Sequence, residues 1–391
     1  MPDRTGATML EDLPEEMMHE ILIRLPSKAV GRCHAVSTSW RSATSTPQFM
    51  LEHRRRQPSL PIVDGQGRPA SYVVLGDAGA GTSNQELWPF LQDCRHRFKN
   101  SLKGSCDGFF IMYLWTRSHF FICNPVTRKS VVLPQPQGLN FVVGFYCHHP
   151  TGEYRVLWVS QSYDLSTSRL YILTVGSDKL RELIVRMQTV SSPSMEQKLL
   201  NELRMSSDHS PAVHHRGCLH WCLYDASDIM GDGGDIIVFN TEAESFRWMR
   251  SPAQPCPNRK LFDMKGTLAC WAGSTPSFTA IDVWVMQDYE AEIWAFKYRI
   301  ELSTVEASRQ LYLSSVKKKK KKKTPLDSAV QSFSDMAVIN ECELLIRFNN
   351  KHVLRCDIDG KFLGLVNIGK SQYCMGISQH RLQESIIAIP S

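Results

Sequence analysis

Between residues 15 and 25 the apolar positions recur at steps of three and four, which is the repeat of one face of an α-helix. These positions are Met17, Met18, Ile21, Leu22 and Leu25. Pro14 suits the first turn of this helix, because its missing N–H costs nothing there, and Pro26 ends the helix. A second amphipathic helix follows with Ser27 as its predicted N-cap, and a third short helix or turn carries Trp40.

Three short helices in about forty residues bury only a small core, so we expect this unit to gain stability from a partner. Each leucine-sized side chain that becomes buried there contributes roughly 1.5–3 kcal/mol. The periodicity alone leaves two interpretations open. The unit is either a helical hairpin that packs on the rest of the chain or a module that docks on another protein.

From about Ala70 onward the pattern changes to short apolar runs, rich in β-branched and aromatic residues and separated by turn residues. One unit recurs: an apolar strand, then Asn or Asp with a few polar residues, then a second strand. The clearest copies begin at His119, Asp235, Asp282 and His352, with a weaker copy at Arg169. Such repeats predict a β-propeller of about six or seven blades at ~40–50 residues each, and a β-sandwich is the rival fold.

The composition fits a globular chain with two domains, since 391 residues contain 42% hydrophobic and 21% charged residues. No run of 18 apolar residues predicts a transmembrane helix, and the N-terminus lacks a basic-then-apolar leader. We therefore expect no membrane partner and an intracellular location, in the nucleus, the cytoplasm or both.

The net charge of +6 comes from a single segment, because seven lysines fill positions 317–323 and the remaining chain carries −1. This near-neutral balance predicts no nucleic-acid partner. Like charges in a row repel one another and cannot pack, so we predict a disordered insertion over residues 315–326. A nuclear import signal is the functional alternative.

The twelve cysteines are scattered without a CxxC pair, which favours reduced, buried thiols. The densest set of potential metal ligands comprises His214, His215, Cys218, His220 and Cys222. Its spacing fits no standard zinc signature, and Arg216-Gly217 predicts a turn that separates the side chains. Nucleophile, zinc-protease and phosphate-loop motifs are also absent from the sequence. We predict no metal, no cofactor and no catalytic residue.

The N-terminal segment resembles the F-box, whose pattern is Leu-Pro, an acidic helix, Ile-Leu-x-Arg-Leu-Pro, Val-x-x-x-Trp and a final Phe. The matching positions are Leu13-Pro14, residues 21–26, Val36, Trp40 and Phe49. This resemblance implies binding to a Skp-type adaptor, which links F-box proteins to a cullin–RING ubiquitin ligase. It also implies that eight residues form the adaptor-facing surface or the core beneath it: Leu13, Pro14, Ile21, Leu22, Leu25, Pro26, Val36 and Trp40.

The second region resembles the plant-type F-box-associated domain, a kelch-like β-propeller. The matching phrases include Cys123-Asn124-Pro125, Gly144-Phe145, Gly217 to Trp221, Phe239-Asn240, and Trp284 through Asp288 to Trp294. Together the two resemblances imply an α+β multidomain chain. Its parts are an F-box at 9–53, a linker at 54–69 and an irregular all-β propeller at 70–391.

The function that these resemblances imply is non-catalytic. The chain would be the substrate-recognition subunit of a Skp–cullin–F-box ligase, and its β domain would recruit a target protein that the sequence does not identify. Two alternatives stay open: an F-box scaffold protein outside a ligase, and a propeller enzyme with its site in the central channel. Acidic or histidine residues that converge at the channel mouth would favour the enzyme.

Overall fold

The computed structural model describes most of the chain. The described residues are 14–65, 71–75, 85–87, 101–114, 118–186, 193–223, 236–252, 259–273, 280–317, 333–340, 342–349, 352–366 and 375–390. Four short helices come first and are α1 Glu15–Leu22, α2 Ser27–Val36, α3 Thr38–Thr44 and α4 Pro47–Arg56. Two longer helices lie further along the chain and are α5 Pro193–His209 and α6 Leu302–Lys317.

The described residues also form six four-stranded antiparallel sheets, here called blades 1 to 6. Blade 1 contains β1 Ser59–Gly65, β2 Ser71–Val74, β3 Gln85–Leu87 and β24 Met375–Gln383, and blade 2 contains β4 Ser101–Cys106, β5 Phe109–Leu114, β6 His119–Asn124 and β7 Lys129–Val132. Blade 3 contains β8 Leu139–His148, β9 Glu153–Gln161, β10 Ser168–Thr174 and β11 Leu180–Leu183, and blade 4 contains β12 Val213–His215, β13 Cys218–Cys222, β14 Ile236–Asn240 and β15 Ser245–Met249. Blade 5 contains β16 Arg259–Met264, β17 Thr267–Gly273, β18 Ala280–Asp288 and β19 Ile293–Glu301, and blade 6 contains β20 Phe333–Val338, β21 Glu343–Phe348, β22 His352–Asp357 and β23 Phe362–Leu365.

The innermost strands of the blades meet around a closed ring. Strands β4 and β8 are in contact, as are β12 and β16, β20 and β24, and β24 and β4. His214 on β12 hydrogen-bonds the carbonyl of Phe145 on β8, and Lys260 on β16 pairs with Asp335 on β20. These six junctions complete the circuit. The predicted β-propeller is therefore confirmed, and the rival sandwich is not the fold.

The ring closes between the two ends of the domain. The last strand, β24, is the innermost strand of blade 1, where it pairs antiparallel with β1, from Ser59 opposite Gln383 to Gly65 opposite Met375. Residues separated by more than three hundred positions thus share one sheet, which removes the open edges that the ends of the propeller would otherwise expose.

The recurring Asn or Asp of the sequence repeat has a local structural role. In blade 2 the side-chain oxygen of Asn124 accepts hydrogen bonds from the backbone N–H groups of Val126 and Thr127. This contact turns the chain from the third strand into the fourth. The equivalent residues in blades 4, 5 and 6 make the same kind of contact and are Asn240, Asp288 and Asp357. The predicted hairpins are therefore confirmed.

Several predicted boundaries differ from the structure. The segment predicted as a linker, 54–69, is ordered through Gly65, because its start completes α4 and Ser59–Gly65 forms β1. Helix α6 extends through Lys317 and so includes the first residues of the insertion predicted over 315–326, the rest of which lies outside the described residues. Ser27 is the first residue of α2 rather than its cap, and Pro26 holds the cap position without a side-chain bond.

Candidate functional site

The apolar residues of helix α1, which the spacing predicts to share one face, divide between two sides of the helix. One face points inward with Met18 and Leu22, which pack in a cluster with Ile23, Val30 and Phe49. The other points to solvent, where Met17 is 54% exposed and Ile21 is 44% exposed. An apolar stripe that remains uncovered on a folded helix is typical of an interaction surface.

The structure separates the predicted adaptor-facing residues into exposed and buried positions. Those with exposed side chains are Pro14, Ile21, Pro26 and Val36, those that are half-buried are Leu25 and Trp40, and the one that is buried is Leu22. Leu13 lies outside the described residues. Leu22 therefore supports the surface from within, while the exposed residues are available to a partner.

Met17 is exposed, but it is not among the eight residues predicted to face the adaptor. It lines a shallow groove on α1 together with Glu16, Glu20, Ile21 and Arg24. The F-box pattern leaves this part of the helix variable. The only sequence signal for Met17 as a surface residue is therefore its helical spacing from Pro14 and Ile21. The groove has an apolar floor and a charged rim, as interface cores commonly do.

The four-helix unit is joined to the propeller by direct polar contacts. The guanidinium of Arg54 on α4 donates to Asp107 Oδ1 at 2.6 Å and to the side-chain oxygen of Gln383 at 3.2 Å. The hydroxyl of Tyr154 donates to the second oxygen of Asp107 at 3.1 Å. Because the Arg54–Asp107 pair is largely buried, it fixes the direction in which α4 leaves the propeller.

The C-terminal segment also connects the two parts. Ile386 packs in the core of the helical unit, together with Phe49 and Val126 of blade 2. The side-chain amide of Asn124 donates to the carbonyls of Ser385 and Ile387 at 3.0 and 2.8 Å. The helical unit therefore shares one continuous core with the propeller and does not hang from a free linker.

A cavity of about 240 Å³ lies in the central channel, at the end next to the helical unit. Inner strands of five blades contribute its walls, and their polar residues include Ser105, Asp107, His214, Asp263, Gln379, His380 and Arg381. No sequence signal marks this set, because its members are far apart in the chain and only the ring brings them together.

The cavity contains a serine and a histidine in contact, as some hydrolases do. Ser105 Oγ lies 3.3 Å from His380 Nδ1. Burial lowers the pKa of His380 to about 3, so this imidazole is a weak proton acceptor at neutral pH. None of the hydrogen bonds and ion pairs in the described residues joins a carboxylate to His380. The pair therefore lacks the base and the orienting group of a nucleophilic dyad.

The histidines and cysteines between residues 214 and 222, which are the densest set of potential metal ligands in the sequence, form hydrogen bonds and core contacts within the protein. His220 Nδ1 donates to the carbonyl of Val213, and its Nε2 accepts a hydrogen bond from the hydroxyl of Tyr289 at 2.8 Å. This contact joins blade 4 to blade 5. Cys218 and Cys222 are buried in the apolar core between these blades. Within the described residues no group of three or more such side chains could hold a metal ion.

Comparisons with known proteins agree with these structural features. A family model described as "F-box associated beta propeller domain" matches residues 91–322, and one described as "F-box-like" matches residues 10–54. In the described residues, no helix is long and apolar enough to cross a membrane.

Similar proteins occur in Arabidopsis thaliana. F-box protein At5g18160 is 22% identical over 293 residues, which cover 73% of this chain and 69% of the relative. F-box protein At3g07870 is 26% identical over 316 residues, which cover 74% and 73%. The solved structure of TolB from Acinetobacter baumannii aligns with 87% of this chain and 71% of its own, at 11% identity and a TM-score of 0.43.

The first family model spans more than half of the chain, and its position coincides with blades 2 to 5. The second coincides with α1 to α4. The chain is therefore an F-box protein with an F-box-associated β-propeller domain.

Proposed function

We propose that this protein is the non-catalytic substrate receptor of a Skp–cullin–F-box ubiquitin ligase. The observation that carries the proposal is the exposed apolar stripe of α1, formed by Met17 and Ile21 on an F-box whose inner face is already packed. A Skp-type adaptor would cover this stripe and the exposed Pro14, Pro26 and Val36. The complex would act in the nucleus, the cytoplasm or both.

The target would bind at the end of the propeller opposite the F-box. The F-box contacts Asp107, in the turn between the first and second strands of blade 2. Because neighbouring antiparallel strands run in opposite directions, the loop after the second strand of blade 3 lies at the other end. The hairpin loop 162–167 and the start of α5 belong to that end, where Gln197 hydrogen-bonds the backbone of Ser168.

The mechanism would be proximity rather than chemistry by this chain. The adaptor would position the F-box, and the joined core would hold the propeller and its target at a fixed distance from the ubiquitin-conjugating enzyme. Holding two reactants together raises their effective concentration, which accelerates transfer without a catalytic group on the receptor.

Charge placed in the stripe tests the proposal. We expect Ile21→Glu to weaken binding of a purified Skp-type adaptor at least tenfold, because a buried carboxylate without a partner would replace an apolar contact. Isothermal titration calorimetry on the full chain measures this change. Ile293→Glu is the matched control, since Ile293 lies on β19 of the propeller and is 50% exposed.

We expect the Ile293→Glu variant to bind the adaptor within about twofold of the unchanged chain. Equal weakening by both substitutions would show a general loss of folding, which circular dichroism would detect. Unchanged binding by a folded Ile21→Glu variant would mean that α1 does not dock on the adaptor.

A further inference from the structure

The cavity in the channel mouth is large enough for a small ligand. Its volume is about 240 Å³. Its walls combine apolar and charged side chains, with Phe262, Ala337 and Val338 beside Asp263 and Arg381. Two opposite charges in one small cavity can recognise a ligand that carries both signs.

Asp263 contributes a carboxylate to the lining of the cavity. Its Oδ1 accepts a hydrogen bond from the backbone N–H of Gly266 at 2.9 Å. Within the described residues, Oδ2 has no hydrogen-bond or ion-pair partner. Burial raises the pKa of Asp263, and the nearby positive charge of Arg381 opposes this shift. A cationic hydrogen-bond donor in the cavity would supply the missing partner.

Arg381 contributes the opposite charge. Its guanidinium donates to the hydroxyl and the carbonyl of Ser59 at 3.0 and 2.6 Å, and to the carbonyl of Val338 at 2.7 Å. A guanidinium has five N–H groups, so two remain without an acceptor among the described residues. Burial lowers the pKa of Arg381, whereas the nearby charge of Asp263 raises it. Within the described residues the two side chains form no direct ion pair.

His214 adds a neutral acceptor to the same wall. Its Nε2 lies 2.7 Å from the carbonyl of Phe145, and because a carbonyl only accepts, Nε2 carries the proton. Burial lowers the pKa of His214, so the ring is neutral and Nδ1 is an acceptor. The lining of the cavity therefore includes acceptors on Asp263 and His214, and N–H groups of Arg381 that have no acceptor among the described residues.

We propose that this cavity binds a zwitterionic α-amino acid. The ligand ammonium would lie against the Asp263 carboxylate and His214 Nδ1, and the ligand carboxylate would accept from the free N–H groups of Arg381. A small apolar side chain would contact Phe262 and Ala337. The site is independent of the adaptor-facing stripe on α1, so it can be tested separately.

Calorimetric titration of the full chain with L-valine tests this site. N-acetyl-L-valine removes the ammonium charge, and L-valine methyl ester removes the carboxylate charge. We expect L-valine to bind and each derivative to bind at least tenfold more weakly, because each leaves one desolvated protein charge without its partner.

Asp263→Asn is the matching protein variant, because it keeps the shape of the side chain and removes its charge. We expect at least a tenfold loss of L-valine affinity at an unchanged melting temperature. The control is Asp282→Asn on the same blade, where the aspartate pairs with Arg299 at the surface. We expect this control to bind L-valine like the unchanged chain.

Three results would each overturn the proposal. They are no L-valine binding at about 10 mM, equal affinity for L-valine and both derivatives, and unchanged affinity of a folded Asp263→Asn variant.

Discussion

Asn124 shows how one residue of the sequence repeat connects distant parts of the chain. Its side chain is fully buried and makes four hydrogen bonds, two to the turn that follows β6 and two to the carbonyls of Ser385 and Ile387. The turn contact could be predicted from the sequence, because an Asn before a polar turn commonly binds the next N–H groups. The contact with the C-terminal segment could not, since it joins residues 261 positions apart.

We therefore expect Asn124→Ala to reduce the free energy of unfolding by roughly 2–4 kcal/mol, because buried carbonyl groups lose their donors. Asn240→Ala is the matched control, since Asn240 is exposed and its side-chain oxygen makes the corresponding turn contacts in blade 4. Its expected loss is about 1 kcal/mol. Urea unfolding measures both. Equal losses would contradict the role given to the C-terminal contact.

At the scale of single elements, the hairpins were predicted and the two long helices were not. A hairpin is local, so its two strands and its turn stand together in the sequence. Helix α5 also carries a local signal, because Met195, Leu199 and Leu203 recur at four-residue steps. The surrounding repeats nevertheless predict an all-β domain over this stretch. Leu199 and Leu203 in fact pack on the core between blades 3 and 4.

Helix α5 should therefore contribute to the stability of the propeller. We expect Leu203→Ala to cost roughly 2–5 kcal/mol of unfolding free energy, because Leu203 is completely buried and its loss leaves a cavity. Met205→Ala, on the exposed side of the same helix, should change stability by less than ~0.5 kcal/mol. Thermal unfolding compares the two. A small effect of Leu203→Ala would mean that α5 is not part of the cooperative core.

At the scale of the whole molecule, two features follow from ring closure and had no sequence signal. The first is the pairing of β1 with β24, which joins the start and end of the propeller. The second is the channel cavity, whose residues come from five blades. Sequence patterns report neighbours along the chain, whereas both features depend on neighbours around a ring. The family resemblance, by contrast, rested on short local phrases and was confirmed.

The F-box and the opposite end of the propeller are held in one fixed arrangement. The F-box presents an apolar stripe at one end, it is joined to the propeller through Arg54 and Ile386, and the hairpin loop 162–167 lies at the other end. In the proposed ligase this arrangement separates adaptor binding from target binding. This arrangement predicts that substitutions in the apolar stripe of α1 prevent assembly into the ligase while the propeller remains folded.

Affinity capture of the full-length chain from cells under proteasome inhibition tests this account most directly. We predict that the unchanged chain and the Ile293→Glu variant recover a Skp-type adaptor together with a cullin. The Met17→Glu/Ile21→Glu variant should lose both while it retains the melting temperature of the propeller. Equal recovery of adaptor and cullin by a folded Met17→Glu/Ile21→Glu variant would contradict the account.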